Sequence, residues 1–260
     1  MSGGLSLRRS AALVDRYADI GIAIAALLLF MPGLGAVHLF DRDEINFAEI
    51  AREMLVTGEW SQPSVGFRPF YEKPPLFMWL QALSMSVFGV GEFAARLPNA
   101  LCGAVTLVLL YRIGAQIRGR VFGLLWVLSY LGSLLPHLYF RSGIIDPWFN
   151  LFIFLGLFVL IRCAHEPSAP RAALGGLFLG LATLTKGPVG VLIPALCVGG
   201  YWAARRFRLP IAPRYLLVAG AAAAATVLPW VVVDLARNGP DFMLELARRH
   251  VKLLAGDKTV

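Results

Sequence analysis

Between an apolar segment that ends near Phe40 and another that starts at Leu76, the chain carries Asp41, Asp43, Glu44, Glu49, Arg52, Glu53 and Arg68. The stretch closes on Tyr71-Glu72-Lys73-Pro74-Pro75. Carboxylates in such a place can accept a proton, and lysine or arginine can hold a negatively charged group. Ionisable side chains beside a lipid-facing segment are costly, and they either pair with one another or serve a site. Further along, polar residues return at the ends of apolar segments: Arg141, Asp146, Lys186 and Asp234. They come from separate hairpins, so the topology that gathers them on one face carries more weight than any single residue.

The elements that must position these groups are membrane helices. The 260-residue chain is 58% hydrophobic and 15% charged, against about 45–50% and about 25% for soluble domains. Its apolar residues are bunched into segments long enough to cross hydrocarbon as helices. The fold class is therefore all-α, a polytopic membrane protein with about seven spans, expected at 19–38, 97–117, 121–140, 145–163, 172–186, 187–204 and 214–234. Residues 1–260 read as a single transmembrane domain. Residues 39–95 form its first outer loop, and 235–260 the start of a further outer segment.

Two interfacial helices are expected in that loop. Phe47, Ile50, Ala51, Met54 and Leu55 make one apolar stripe, with Glu49, Arg52 and Glu53 on the other face and Gly58 as the stop. Residues 76–89 are apolar but too short for a span, with Pro74-Pro75 setting the first turn. Gly176 and Gly180, and the run from Ala221 to Ala225, suit close helix packing in lipid. Cys102, Cys163 and Cys197 lie in or at the edge of apolar segments without CxxC spacing and read as small hydrophobes.

The net charge of +8 is spread over short turns rather than set in basic runs between stacking aromatics, so nucleic acid is not expected as a partner. With the N-terminus inside, 12 of the 24 basic residues crowd into the inner turns, the arrangement the positive-inside rule favours. Asp43, Glu72, Lys73, Arg141, Asp146, Lys186 and Asp234 then all reach the outer side.

Three blocks in this order carry a resemblance. Asp43-Glu44-x-x-Phe47-Ala48-Glu49-Ile50-x-Arg52-Glu53-Met54, Glu72-Lys73-Pro74-Pro75-Leu76-x-x-Trp79 and Glu92-Phe93-x-x-Arg96-Leu97-Pro98 are similar to the large membrane glycosyltransferase family. That family includes aminoarabinose-lipid A transferases and protein O-mannosyltransferases. Arg141-x-x-x-x-Asp146 and Leu181-Ala182-x-Leu184-Thr185-Lys186-Gly187-Pro188 resemble its next two blocks. The resemblance implies a GT-C fold and a sugar donor carried on a polyprenyl phosphate, with a lipid, protein or glycan as acceptor. It also implies a bacterial inner membrane location with the site facing the periplasm. Asp43 resembles the family's catalytic aspartate, with Asp146 as a second acidic position and Glu44 in support. Lys73 matches the phosphate-contacting lysine, with Arg141 and Lys186 as further phosphate groups, and Glu72 and His250 offer ligands to a divalent metal. Family members are longer, so the chain is expected to be a fragment, a split protein or a natural short form, with a partner chain among the expected partners.

Two departures stand out: Asn46 where many aminoarabinose transferases have arginine, and Arg249-His250 where the family often has Glu-His. Bland readings run alongside. Asp41-x-x-Glu44 is also a capping box, and Arg141 with Asp146 could be a structural ion pair. Lys73 could be an interfacial snorkeller, Lys186 a helix terminus, and Asp234 a solvating charge at a helix end. Rival functions are a non-catalytic membrane partner and a transporter, though the internal symmetry a transporter would show is missing from the sequence.

Overall fold

The computed structural model describes residues 3–206 and 211–254, with the side chains of 3–15, 250, 253 and 254 outside the description. Its elements are α1 Gly3–Phe30, α2 Arg42–Thr57, β1 Ser64–Val65, β2 Arg68–Pro69, α3 Leu76–Phe88, α4 Glu92–Arg118, α5 Arg120–Leu131 and α6 Leu134–Tyr139. They continue with α7 Asp146–His165, α8 Ala169–Lys186, α9 Val189–Ala204, α10 Pro213–Asn238 and α11 Asp241–Leu254. The chain divides into two compact units. One holds the residues up to Ile45 together with Val87–Pro147; the other holds Asn46–Ser86 and the residues from Trp148 onward. The boundaries fall inside α2, α3 and α7.

Among the described residues, α4, α7 and α10 are long and apolar enough to cross a membrane, and α3, α5 and α9 are shorter apolar helices. Two expected spans are corrected. The first was placed at 19–38, but α1 stops at Phe30 and residues 31–37 turn. Pro32 has no N–H and its ring collides with the carbonyl four residues back, while Gly33 takes φ 71°. The span at 121–140 breaks into α5 and α6 at Gly132-Ser133. Pro136 is the cause, because a continuous helix would drive its ring against the Gly132 carbonyl.

In the second unit α2 buries Phe47, Ile50, Ala51 and Met54 of the expected stripe and leaves Leu55 half-buried, and Gly58 ends the helix at φ 72° with its N–H on the Met54 carbonyl at 3.0 Å. Glu49 and Arg52 pair at 2.6 Å on the other face, and the Arg52 hydrogen bond holds the Glu49 carboxyl below its usual range. Glu53 departs from the expectation, being fully buried. The hairpin of β1 and β2 folds over it, so its carboxylate accepts the Ser64 hydroxyl at 2.5 Å and the Phe67 N–H at 3.0 Å. Gly66 and Phe67 sit at φ 61° and 57° in the hairpin turn, and two positive φ values match the right-handed twist of the strands. The Phe67 bond to Glu53 helps hold a conformation that a bulky residue rarely adopts.

Glycines set the packing of α7, α8 and α10. A Cβ on Gly156 would lie 2.5 Å from Leu179 Cδ2, and one on Gly175 would lie 2.8 Å from Leu160 Cγ. Gly180 faces Thr226 at 2.7 Å, and Gly176 meets the Ala219 carbonyl even more closely. The expected small-residue step therefore brings the backbones of α8 and α10 together, as lipid-embedded helices require. Cys102 and Cys163 are buried and unoxidised; Cys197 is exposed. Gly176→Leu should destabilise the fold by about 1–3 kcal/mol through overpacking. Gly220→Ala, where an added Cβ meets nothing within 4 Å, should be near neutral. Thermal melts of the two variants in detergent check this.

Candidate functional site

In the first unit the polar residues are organised by one buried ion pair. Arg96 on α4 and Glu44 on α2 are 3% and 0% exposed. Arg96 Nε donates to Glu44 Oε1 at 2.7 Å and Nη2 to Oε2 at 3.0 Å. Nη1 donates to the Leu34 and Val37 carbonyls at 2.9 and 2.7 Å, and Nη2 also to the His38 carbonyl at 3.1 Å. All five guanidinium donors are thus spent. Glu44 accepts two further bonds, from the Gly143 N–H at 2.6 Å and the Phe40 N–H at 3.3 Å.

This pair fixes the approach to two expected site residues. At the start of α2, Asp41 is the cap: its Oδ1 accepts the Asp43 N–H at 2.8 Å and its carbonyl accepts the Ile45 N–H at 3.0 Å. Glu44 is drawn inward to Arg96, while Asp43 in the same first turn remains exposed. Before α7, Asn99 donates to the Ser142 and Ile144 carbonyls at 2.6 and 2.7 Å, on either side of the Gly143 bond to Glu44. That segment leads directly to Asp146, half-buried in the first turn of α7. Arg141 is exposed and donates through Nη2 to the Pro32 carbonyl at 2.7 Å.

In the second unit the segment Tyr71–Pro75 lies against α11. Tyr71 packs edge-on to Phe242, with centroids 5.9 Å apart, and Glu72 Oε1 pairs with Arg249 Nη1 at 2.7 Å. Lys73 follows, half-buried, ahead of the buried Pro74 and Pro75. The Pro75 carbonyl accepts the Trp79 N–H and opens α3 as expected. Lys186 ends α8, with Nζ 5.2 Å from the centroid of Phe149, and Gly187 at φ 79° terminates the helix.

Asp234 corrects its expectation. It is fully buried, not a solvating charge, and accepts from Asn238 Nδ2 at 3.0 Å. Asn238 also reaches Ser61 Oγ at 3.3 Å, and Trp230 Nε1 donates to the Ser61 carbonyl at 2.8 Å. The end of α10 is therefore clasped to the loop after α2. In that loop Ser61 donates to Glu59 and lowers its carboxyl below the usual range, helped by Arg237 at 3.4 Å.

Among the described residues no three His, Cys, Asp or Glu side chains come together as ligands, and Glu72 is engaged by Arg249. The His250 side chain lies outside the described residues.

A model of the dolichyl-phosphate-mannose-protein mannosyltransferase family matches residues 72–232. The chain belongs to this family. Within it, the chain is 31% identical over 248 residues to the undecaprenyl phosphate-alpha-4-amino-4-deoxy-L-arabinose arabinosyl transferase 1 of Pseudomonas fluorescens Pf0-1, covering 90% of this chain and 42% of that protein. It is 30% identical to the enzyme of the same name from Proteus mirabilis HI4320, over 89% of this chain and 43% of the other. The mannosyltransferase-family chain thus spans under half the length of these curated relatives. Its fold matches the crystal structure of ArnT from Cupriavidus metallidurans bound to undecaprenyl phosphate, with a TM-score of 0.71 and 24% identity over 86% of this chain and 42% of that one. The polytopic helical GT-C architecture follows.

Sequence reasoning quoted Arg96 within a family block and Arg249 as a departure without giving either a role, and it passed over Asn99. Arg96 and Asn99 stand three apart on an apolar helix, so one face of α4 carries both. Removing one partner of the buried pair should cost about 3–5 kcal/mol. Arg96→Ala and Glu44→Gln should each lower Tm in detergent strongly, Arg96→Lys should recover only part because the fork is lost, and Glu44→Leu combined with Arg96→Leu should cost less than the sum of its singles. A double-mutant cycle on thermal unfolding measures this.

Proposed function

We propose that the chain transfers a sugar from a polyprenyl-phosphate donor to a hydroxyl or phosphate acceptor on a lipid, protein or glycan. The reaction takes place at the periplasmic face of a bacterial inner membrane. The observation that carries the reading is the arrangement at the start of α2: Asp41 makes the cap, Glu44 is held by Arg96, and Asp43 is an exposed residue of the same turn. The family match beginning at Glu72-Lys73 and the relatives named for undecaprenyl-phosphate sugars support it.

In this mechanism the acceptor oxygen attacks the anomeric carbon and its proton passes to Asp43. The bond from the anomeric carbon to the phosphate oxygen breaks with inversion, and the electron pair leaves on the lipid phosphate. Lys73 meets that growing charge, with Arg141 and Lys186 as further cations. Asp146 orients the acceptor. Because a low-dielectric boundary strengthens each charge contact relative to bulk water, fixed cations of this kind can do much of the work.

A second reading is that the chain binds the donor but needs another chain for turnover. Incubation of the purified protein with radiolabelled polyprenyl-phosphate sugar and candidate acceptors separates the two. Donor-dependent transfer that falls by about 10²–10⁴ in Asp43→Asn, with donor affinity retained, supports the enzyme. Binding without transfer supports the partner reading, and solute flux without donor affinity contradicts both. Lys73→Ala should weaken donor binding by about tenfold or more.

A further inference from the structure

We propose that Arg249 is a second cation of the donor phosphate site, held next to Lys73 by Glu72 and standing where a divalent metal was expected. The proposal rests on the donor reading above and deepens it.

The placement of Arg249 on α11 is the first argument. Phe242 and Leu246 are buried, and they pack with Leu184 and Trp230 against Tyr71, Leu76 and Trp79. Arg249 follows at the next step of the same stripe, seven residues after Phe242 and three after Leu246. Residues at that spacing share one face of a helix. Arg249 is thus a charge on the face that α11 turns toward the Tyr71–Trp79 segment, and not one of the outward charges such as Arg248, which pairs with Glu245 at 3.5 Å.

The second argument is its partner. Arg249 Nη1 lies 2.7 Å from Glu72 Oε1, with the two side chains 29% and 26% exposed. An ion pair this exposed adds little to stability; its consequence is positional. The carboxylate grips one edge of a planar fork whose remaining donors match phosphate oxygens two at a time. Glu72, Lys73 and Arg249 together carry one net positive charge, the complement of a phosphate monoanion. A divalent ion at Glu72 would have to displace the guanidinium or sit beside it against repulsion, and among the described residues it would not find three ligands. The side chain itself supplies the charge. Glu72 acts through Arg249 and is a positioning residue; Arg249 touches the phosphate.

The test measures the affinity of the purified full chain for polyprenyl phosphate and for the matching polyprenol, which lacks the phosphate. Arg249→Gln should weaken phosphate binding by about tenfold and leave polyprenol binding unchanged. Arg249→Lys should recover part of the loss, and Glu72→Gln should show a smaller loss of the same kind. Chelator treatment should leave wild-type affinity unchanged, with substoichiometric metal by elemental analysis. The proposal is overturned by any of three results: Arg249→Gln binding the phosphate as wild type does, equal loss for the phosphate and the polyprenol, or a stoichiometric metal whose removal abolishes wild-type binding. A wild-type protein that does not prefer the phosphate to the polyprenol overturns the donor reading too, which separates that failure from these.

Discussion

Taking a guanidinium and a carboxylate out of water costs several kcal/mol per ion, and the loss is offset only when geometry and hydrogen bonding are complete. The Glu44–Arg96 pair meets that condition in full. Three carbonyls from the turn after α1, two carboxylate oxygens, the Gly143 N–H and the Phe40 N–H all converge on it. The turn at 31–40, the first turn of α2 and the approach to α7 are held by the polar knot, and Asp43 and Asp146 inherit their places from it. A fully satisfied network is stiff because losing one member strands the others.

The second unit is built on the opposite principle. Its helices approach through Gly156 and Gly175, which receive the side chains of Leu179 and Leu160, and through Gly176 and Gly180, where the backbones of α8 and α10 come together. Lipid gives helices no hydrophobic reason to associate, so close van der Waals contact takes over. Against that scaffold the loop after α2 is fastened by polar clasps: Trp230 and Asn238 on Ser61, and Arg249 on Glu72. Rigid spans below and a polar segment pinned at several points above are what a site for a lipid-borne headgroup requires.

Much of this was legible from residue patterns. The stripe Phe47, Ile50, Ala51, Met54 and its stop at Gly58 are local signals, read at the helical period, and Gly176 with Gly180 announces a close approach before any partner is known. Elements that depend on distant residues were not legible. Glu53 sits beside the apolar stripe and would face solvent on a lone helix; only the hairpin at 64–69 makes it a buried acceptor. Asp234 looks like a solvating charge until Asn238 and Ser61 are seen around it. The break at Gly132 and the early end of α1 were readable from Pro136 and Pro32, and counting hydrophobic length alone passed over both. Among the proposed site residues, Asp43, Lys73 and Asp146 stand out by type and place, whereas Arg96 and Arg249 show their meaning only through partners 52 and 177 positions away.

Hydrogen exchange in detergent micelles, read by mass spectrometry on Arg96→Leu, probes the polar knot most directly. If one ion pair holds both approaches, peptides covering 37–45 and 140–146 should lose protection together, while α8 and α10 keep theirs. Wild-type protection retained in either of the two peptides would contradict the account, because the start of α2 and the approach to α7 would then be held by something else.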